Sequence, residues 1–380
     1  MDTKKLIEVY TGLTSNMYSH YYGKEREIDD YIKSMNLSKE DLLILSNLLI
    51  QDNVFGWLDF ISSKISILAE DNPLFINLIV SIIKKVKNDL AQGSFVRGLI
   101  RLGEENPDLG LKIYDKILIS QIYAEAVDYT GLILGGAGKK DPKRIKKYIL
   151  RILNSTEDIE QLNIAKVASI KAMRVMIEGK DKLEEEKFFF DMLEKVSKIE
   201  NPSPIRIEAL NFNIDMFKFN KEVCYKNMIH LITNRSNEEL CYLLAHRLSI
   251  FGLKDNKKEF TLIELLANSN DLNVLNEVAH YLARNHSKNK DKTFEIFITL
   301  IEKEKYFELR NLPYMLNEMG GKDFNFYYKK ISDFINSEKN KKLLYILSEL
   351  LRYLTEKCEE NIPKEELLRK QVYDRITILK

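Results

Sequence analysis

Apolar residues recur three and four positions apart along almost the whole chain, which is the spacing of one face of a helix. In the segment PKRIKKYILRIL, for example, Ile145, Tyr148, Ile149 and Ile152 share one side of a helix, and lysine and arginine occupy the other. Sustained alternation of apolar and polar residues, which would indicate strands, is hard to find. The pattern therefore predicts an all-α protein.

Polar turns containing Asp, Asn, Gly or Lys interrupt these helical patterns at similar intervals. Between the first and the last turn the spacing averages about 36 residues, which is within the range of two-helix repeats. Each turn is predicted to open the second helix of an antiparallel pair. The predicted openings are Pro73, Pro107, Pro142, Lys182, Lys221, Lys257, Lys292, Asp323 and Lys364.

Residues typical of helix ends accompany several of these turns. An acceptor side chain at the N-cap followed by proline starts a helix without losing a hydrogen bond. Ser38 and Asp41 resemble a capping box that starts a helix running through Ile50. The predicted acceptor–proline starts are Asn72-Pro73, Asn106-Pro107 and Asp141-Pro142. Glycines near the predicted helix ends, where a left-handed cap favours glycine, are Gly103, Gly135, Gly179, Gly252 and Gly320.

With these repeated helix pairs the chain resembles the HEAT-like and armadillo-type α-solenoids, and the turn LGGAGKKDPKRI is similar to their loose LG…DP… turn. The resemblance covers residues 38–375 and implies a right-handed α-solenoid of stacked antiparallel helix pairs. We therefore expect one domain, 1–380, with a helical cap at 1–37, helix pairs at 38–361 and a capping helix at 362–380. A break near Glu200–Arg206 is the alternative.

Composition narrows the range of functions. The chain is 45% hydrophobic and 30% charged, and 58 Lys and Arg against 57 Asp and Glu give a net charge of +1. This balance gives no overall attraction to DNA or to an anionic membrane. No apolar run approaches the roughly 18 residues of a membrane span, so we expect a cytoplasmic protein with no membrane contact. Cys224, Cys241 and Cys358 are too widely spaced to indicate a disulfide framework or a thiolate metal site.

The stretch GGAGKK resembles the glycine-rich phosphate-binding loop of nucleotide-binding proteins. A phosphate-binding loop needs glycine where Ile133 stands and Ser or Thr where Lys140 follows Lys139, so the stretch is interpreted as a turn between helices. His280 and His286 are not spaced for one metal on one helix face. Nucleophile motifs are missing as well. The sequence thus predicts no catalytic residue, metal or cofactor and favours a non-enzymatic protein.

Two acidic residues interrupt otherwise apolar helix faces. They are Asp128 in EAVDYTG and Asp215 in FNIDMFK. A buried carboxylate is costly unless it is paired. Each is therefore expected to meet Arg, Lys or a backbone amide of the adjoining helix pair.

A basic run gives the only candidate binding surface. Lys143, Lys147 and Arg151 recur every four residues, opposite the apolar face, and second helices of HEAT-like pairs typically line the concave side. Neighbouring second helices do not extend this stripe, which disfavours a groove along a nucleic acid. The candidate residues for a partner or a phosphate group are Lys139, Lys140, Lys143, Arg144, Lys147 and Arg151.

The expected function is that of a scaffold or adaptor that binds a protein partner along its concave surface. The alternative is a nucleic-acid-binding solenoid that uses the basic run. A DNA alkylpurine glycosylase of HEAT-like architecture is a third reading. Its pocket of an Asp among several aromatic residues is not reproduced by Trp57 and Asp59 alone.

Overall fold

Helices form all the regular structure in the part of the chain that the computed structural model describes, and no strand occurs there. This confirms the all-α prediction. None of the described helices has both the length and the apolar character needed to cross a bilayer. The described residues are Thr11 and residues 38–51, 58–71, 75–118, 124–155, 160–198, 200–233, 238–303, 305–356 and 359–379.

The chain divides into two compact units, Met1–Phe219 and Asn220–Lys380. The arrangement as one domain remains a prediction, and the predicted N-terminal cap at 1–37 lies outside the described residues apart from Thr11. The break near Glu200–Arg206, the alternative to one domain, also stays a prediction.

Unit 1 consists of two layers of helices. In the first layer α2 packs on α4, α4 and α5 both pack on α7, and α9 and α11 follow in chain order. In the second layer α1, α3 and α6 pack on one another in chain order. Helices α8 and α10 follow in the second layer, against α7, α9 and α11. The helices are α1 (Lys39–Gln51), α2 (Leu58–Asp71), α3 (Phe75–Lys85), α4 (Asp89–Arg97), α5 (Ile100–Glu105), α6 (Pro107–Leu118), α7 (Ala124–Lys140), α8 (Pro142–Asn154), α9 (Glu160–Ile177), α10 (Glu186–Val196) and α11 (Ser203–Met216).

Unit 2 repeats the two-layer arrangement. Helices α13 and α15 lie in the first layer, followed by the N-terminal half of α17 and by α18 and α19, and α12, α14 and α16 lie in the second layer. The C-terminal half of α17 and helix α20 complete the second layer. The helices are α12 (Lys221–Ile232), α13 (Glu238–Ile250), α14 (Asn256–Ala267), α15 (Leu272–Asn285), α16 (Lys290–Ile301), α17 (Asn311–Ser337), α18 (Lys341–Leu350), α19 (Arg352–Thr355) and α20 (Ile362–Ile378).

Helix α17 passes from one layer to the other without a loop. Its backbone leaves the helical region at Asp323, with φ −136° and ψ 34°, and becomes helical again. Asp323 is the position where the sequence predicts a new helix. The two helices of this pair are therefore joined at a kink and not by a turn of several residues.

Local sequence signals place most helix starts correctly. The Ser38 hydroxyl accepts from the Asp41 amide at 3.2 Å and the Asp41 carboxylate accepts from the Ser38 amide at 2.9 Å, which confirms the capping box. Asn106 and Asp141 cap α6 and α8 as predicted, whereas Asn72-Pro73 lies outside the described residues. Helix α10 begins at Glu186 and not near Lys182. The residues between them form a turn, in which Glu185 pairs with Lys146 of α8.

The glycine prediction is right at two positions and wrong at three. Gly179 and Gly252 have positive φ values of 70° and 63° after the ends of α9 and α13, as expected of helix caps. Gly103, Gly135 and Gly320 are instead helical residues at close crossings. A Cβ atom would lie 2.0 Å from the Ile133 carbonyl oxygen at Gly103 and 1.7 Å from that of Leu354 at Gly320. Glycine at these positions allows backbones to touch.

Side-chain pairs join consecutive helices of the second layer within each unit, and we call them the cation ladder. In each pair a Lys or Arg contacts an acidic or amide side chain on the preceding second-layer helix. The hydrogen-bonded partners are separated by 28 to 41 positions in the chain. The pairs are Lys116–Asn77, Arg144–Asp108, Lys195–Asn154, Lys258–Glu222, Lys292–Glu264, Lys330–Asp291 and Lys364–Asn325.

Unit 2 also encloses a carboxylate. Glu259 of α14 is fully buried, accepting from the Leu253 amide at 2.6 Å and from the Tyr281 hydroxyl at 2.8 Å. The ammonium of Lys288 lies 3.6 Å away. Burial, and then the negative charge of Glu259, raise the pKa of Tyr281. The carboxylate thus fixes the loop after α13 to the core.

His286 is a second buried ionisable residue of unit 2. Its Nδ1 lies 3.4 Å from the Tyr327 hydroxyl and 3.4 Å from the Asp323 carboxylate, and its Nε2 has no hydrogen-bond partner within the described chain. Burial lowers the pKa of His286, and the negative charge of Asp323 only partly opposes this effect. The fold therefore favours the neutral imidazole.

Acid should weaken unit 2 through His286. Because the pKa is lower in the folded than in the unfolded state, the stabilisation is complete above the ordinary value of about 6.5 and is lost as pH falls through that value towards the folded pKa. We expect His286→Gln to lose less stability than the wild type between about pH 7 and pH 5 in urea unfolding. The exposed His230 provides the control, since His230→Gln should behave as the wild type. Equal losses in the wild type and His286→Gln would contradict this role.

Candidate interaction surface

Helix α8 presents its charged side outward because its apolar side is fixed in the core. Asp141 caps the helix by accepting from the Arg144 amide at 3.2 Å, and Pro142 occupies its first turn. Ile145 and Ile149 are fully buried and Ile152 nearly so. Basic residues on the opposite face are therefore held at a fixed spacing along the surface of unit 1.

The structure brings the predicted binding residues together at one end of α7 and along α8. Lys139 and Lys140 are the last residues of α7, which continues through the glycine stretch without interruption. The interpretation of those glycines as a helix end is wrong. Gly135 and Gly138 are buried against Val175 and Met176 of α9, and Gly136 lies against Glu104 of α5. The turn itself is a single residue, Asp141.

Two of the predicted residues are engaged in contacts within the fold. The Lys139 ammonium lies 3.4 Å from the Glu178 carboxylate and 3.9 Å from that of Glu104. Arg144 forms an ion pair with Asp108 as part of the cation ladder. The hydrogen bond from Arg144 lowers the pKa of the Asp108 carboxyl below its usual range. Both cations are compensated by acids of the same unit.

The other four residues form what we call the α8 basic surface: Lys140, Lys143, Lys147 and Arg151. All are exposed, and none has an ion-pair partner in the described part of the chain. The guanidinium of Arg151 lies 4.9 Å from the centre of the Tyr148 ring, which is half-buried. This distance is within the range of a cation–π contact.

Acidic side chains flank the α8 basic surface on both sides. Asp108 and Asp115 belong to α6, and burial raises the pKa of Asp115 while the positive charges of Arg151 and Arg144 oppose the shift. On the other side Glu185 lies 2.7 Å from the ammonium of Lys146. The positive region is consequently about one helix wide.

Lys146 is the basic residue of α8 that the predicted binding surface leaves out. It is buried, and its ammonium lies 5.5 Å from the ring centres of both Phe188 and Phe189. Its position on the buried side of α8, next to Ile145 and Ile149, was the available signal. Lys146 therefore connects α8 to α10 and does not face a partner.

A second charged cluster lies in the first layer of unit 1. Arg174 pairs with Glu208 and Asp215, and Lys171 pairs with Asp128 and lies 3.5 Å from Glu208. The expected pairing of Asp128 and Asp215 with an adjoining helix is confirmed, although Asp128 is exposed. The deeply buried member is Glu208, which the sequence analysis missed. The charges of the cluster compensate one another, and all of its members except Glu208 border an open groove of about 610 Å³.

The described residues contain no group of three His, Cys, Asp or Glu side chains arranged to hold a metal ion. Burial raises the pKa of the Cys224 thiol to about 12 and that of Cys241 to about 11. Both are therefore thiols and not thiolates at neutral pH, which makes them poor nucleophiles. Cys358 and Trp57 lie outside the described residues.

Comparison with known proteins names no relative. No protein-family model matches the sequence, and no curated protein matches it significantly. The function is therefore inferred from the helices and the charged side chains themselves.

Proposed function

We propose that the protein is a non-enzymatic helical-repeat scaffold or adaptor that binds another protein. The cation ladder carries this proposal, because it joins successive second-layer helices from α3 to α10 in unit 1 and from α12 to α20 in unit 2. Proteins in which each helix pair contacts mainly its neighbours extend their surface with every added pair. Their usual role is to offer that extended surface to a macromolecular partner.

The architecture that we propose is a right-handed, HEAT-like or armadillo-type α-solenoid with a period of about 36 residues. Ladder partners such as Arg144–Asp108 and Lys258–Glu222, each 36 positions apart, support this period. Contacts in the first layer support it as well, since Arg97–Asp59 and Arg174–Asp215 are 38 and 41 positions apart. Irregular spacing of this kind is typical of HEAT-like arrays.

Exposed aromatic side chains support a protein as the partner. Tyr242, Phe307 and Tyr314 of unit 2 are 40%, 73% and 43% exposed. Tyr242 and Phe307 line one open groove of about 630 Å³. Tyrosine and phenylalanine are enriched in the core of protein interfaces, where they supply a large contact area with few rotatable bonds.

The proposal is tested by co-purification after nuclease treatment, followed by reconstitution. We expect a protein to remain bound to the tagged chain in a fixed ratio and to rebind the purified chain in calorimetry. Nuclease removes any bridging nucleic acid, so a protein that stays bound contacts the chain directly. Loss of all stoichiometric proteins on nuclease treatment, or a nucleic acid as the bound species, would refute the proposal.

A further inference from the structure

We propose that the α8 basic surface binds an acidic segment of the partner protein. This inference rests on the proposed function, because it assigns the chemistry of a partner that the scaffold must have. Its basis is the row of cations at four-residue spacing on one face of α8, which form no ion pair with the described residues.

The cations of the α8 basic surface form no ion pair within the described residues, although Arg151 contacts the Tyr148 ring and its charge favours the Asp115 carboxylate. On the neighbouring second-layer helices, Lys116 and Lys195 donate to Asn77 and Asn154 in the cation ladder. On α8 itself, Arg144 fills that role with Asp108. Lys143 and Lys147 on the outward face of α8 make no such contact with the described residues of unit 1. They are therefore available to carboxylates from another molecule.

The dimensions of the surface fit a short acidic segment. Lys143, Lys147 and Arg151 are spaced four residues apart, so the row extends over about 12 Å, or roughly two helical turns. Carboxylates at every fourth residue of an acidic helix have the same spacing and can pair with all three cations. The Tyr148 ring beneath Arg151 adds apolar contact area beside the charges. A segment of about two to three turns would cover the surface.

The same dimensions disfavour a nucleic acid. A duplex carries one negative charge per about 1.7 Å of its axis, and sequence-independent binding needs many phosphate contacts along that axis. Beyond the width of α8, a phosphate backbone would meet Asp108 and Asp115 on one side and Glu185 on the other. An acidic peptide lying along α8 avoids these carboxylates. The electrostatic pattern therefore favours a partner as narrow as one helix.

The test is fluorescence anisotropy with four labelled probes at low and moderate salt. The probes are an alanine-based helical peptide with glutamate at every fourth position, the same peptide with glutamine, and single- and double-stranded DNA of 20 nucleotides. We expect the intact protein to bind the glutamate peptide, with the glutamine peptide and DNA at least about tenfold weaker. Lys143→Glu with Lys147→Glu should weaken binding of the glutamate peptide by about tenfold or more.

The matched control reverses the same charge elsewhere. Lys329 and Lys370 are exposed and unpaired within the described chain, so Lys329→Glu with Lys370→Glu should bind within about twofold of the wild type. Equal effects of both double variants, tighter binding of DNA, or no binding of the glutamate peptide would overturn the assignment. If the co-purified protein still binds the Lys143→Glu, Lys147→Glu variant with unchanged affinity, the scaffold function is supported. The α8 basic surface is then not its binding site.

Discussion

Gly103→Ala is expected to destabilise unit 1 by about 3 kcal/mol, measured as the shift of the urea unfolding midpoint. Gly103 of α5 crosses α7 so closely that an added Cβ would lie 2.0 Å from the Ile133 carbonyl oxygen and 2.8 Å from its carbonyl carbon. Backbone atoms inside a helix cannot move aside alone, so the two helices must separate. Separation removes packing contacts along the whole crossing.

Gly138→Ala is the matched control for this effect. Gly138 is also a buried helical glycine, and the nearest atom to an added Cβ is the Met176 sulfur at 2.6 Å. A thioether side chain adapts by changing its rotamer. Alanine also favours the helix by about 1 kcal/mol relative to glycine. We expect a change within about 1 kcal/mol, and equal losses for both variants would show that the crossing at Gly103 is not limiting.

Glu259→Ala is expected to destabilise unit 2 by about 3 kcal/mol in the same measurement. The substitution leaves the Leu253 amide and the Tyr281 hydroxyl without their acceptor in a site from which water is excluded. It also leaves the Lys288 ammonium without its nearby carboxylate. The loop after α13 should then detach from the core before the rest of the unit unfolds.

Glu264→Ala, on the same helix, is the control that removes an exposed glutamate in place of a buried one. Glu264 is half-exposed and pairs with Lys292 in the cation ladder at 3.0 Å. Exposed ion pairs contribute less than about 1 kcal/mol, so the loss should stay below that value. An equal loss of stability in Glu264→Ala and Glu259→Ala would contradict this explanation. It would mean that removing any glutamate from this helix accounts for the loss, whether or not that glutamate is buried.

The sequence predicted helix starts well because the interactions that create them are local. The Ser38–Asp41 box, Asn106-Pro107 and Asp141-Pro142 each act within one helical turn. It failed at Gly103 and Gly320 because a glycine cap and a glycine crossing look alike in a sequence. Only the partner, the Ile133 or Leu354 carbonyl, distinguishes the crossing, and it lies 30 or more positions away.

For the candidate surface, too, the sequence shows the local pattern but not the contacts with distant residues. A four-residue spacing of cations on the face opposite Ile145 and Ile149 is visible in the sequence. The sequence cannot show which cations are already paired, because the partners Asp108 and Glu178 belong to other helix pairs. Burial of Glu208 and Glu259 was hidden in the same way among the many acidic residues of the chain.

The helices of the two layers are held together by different contacts, and this difference determines which positions tolerate substitution. First-layer crossings at Gly98, Gly103 and Gly320 bring a glycine against a backbone carbonyl, so no larger residue fits there. Second-layer helices are joined by long, exposed side chains, and such pairs tolerate exchange at small cost. Substitutions can therefore accumulate on the second layer while the glycine crossings keep the first-layer helices stacked, so that the surface we propose for partner binding can diverge without a change of fold.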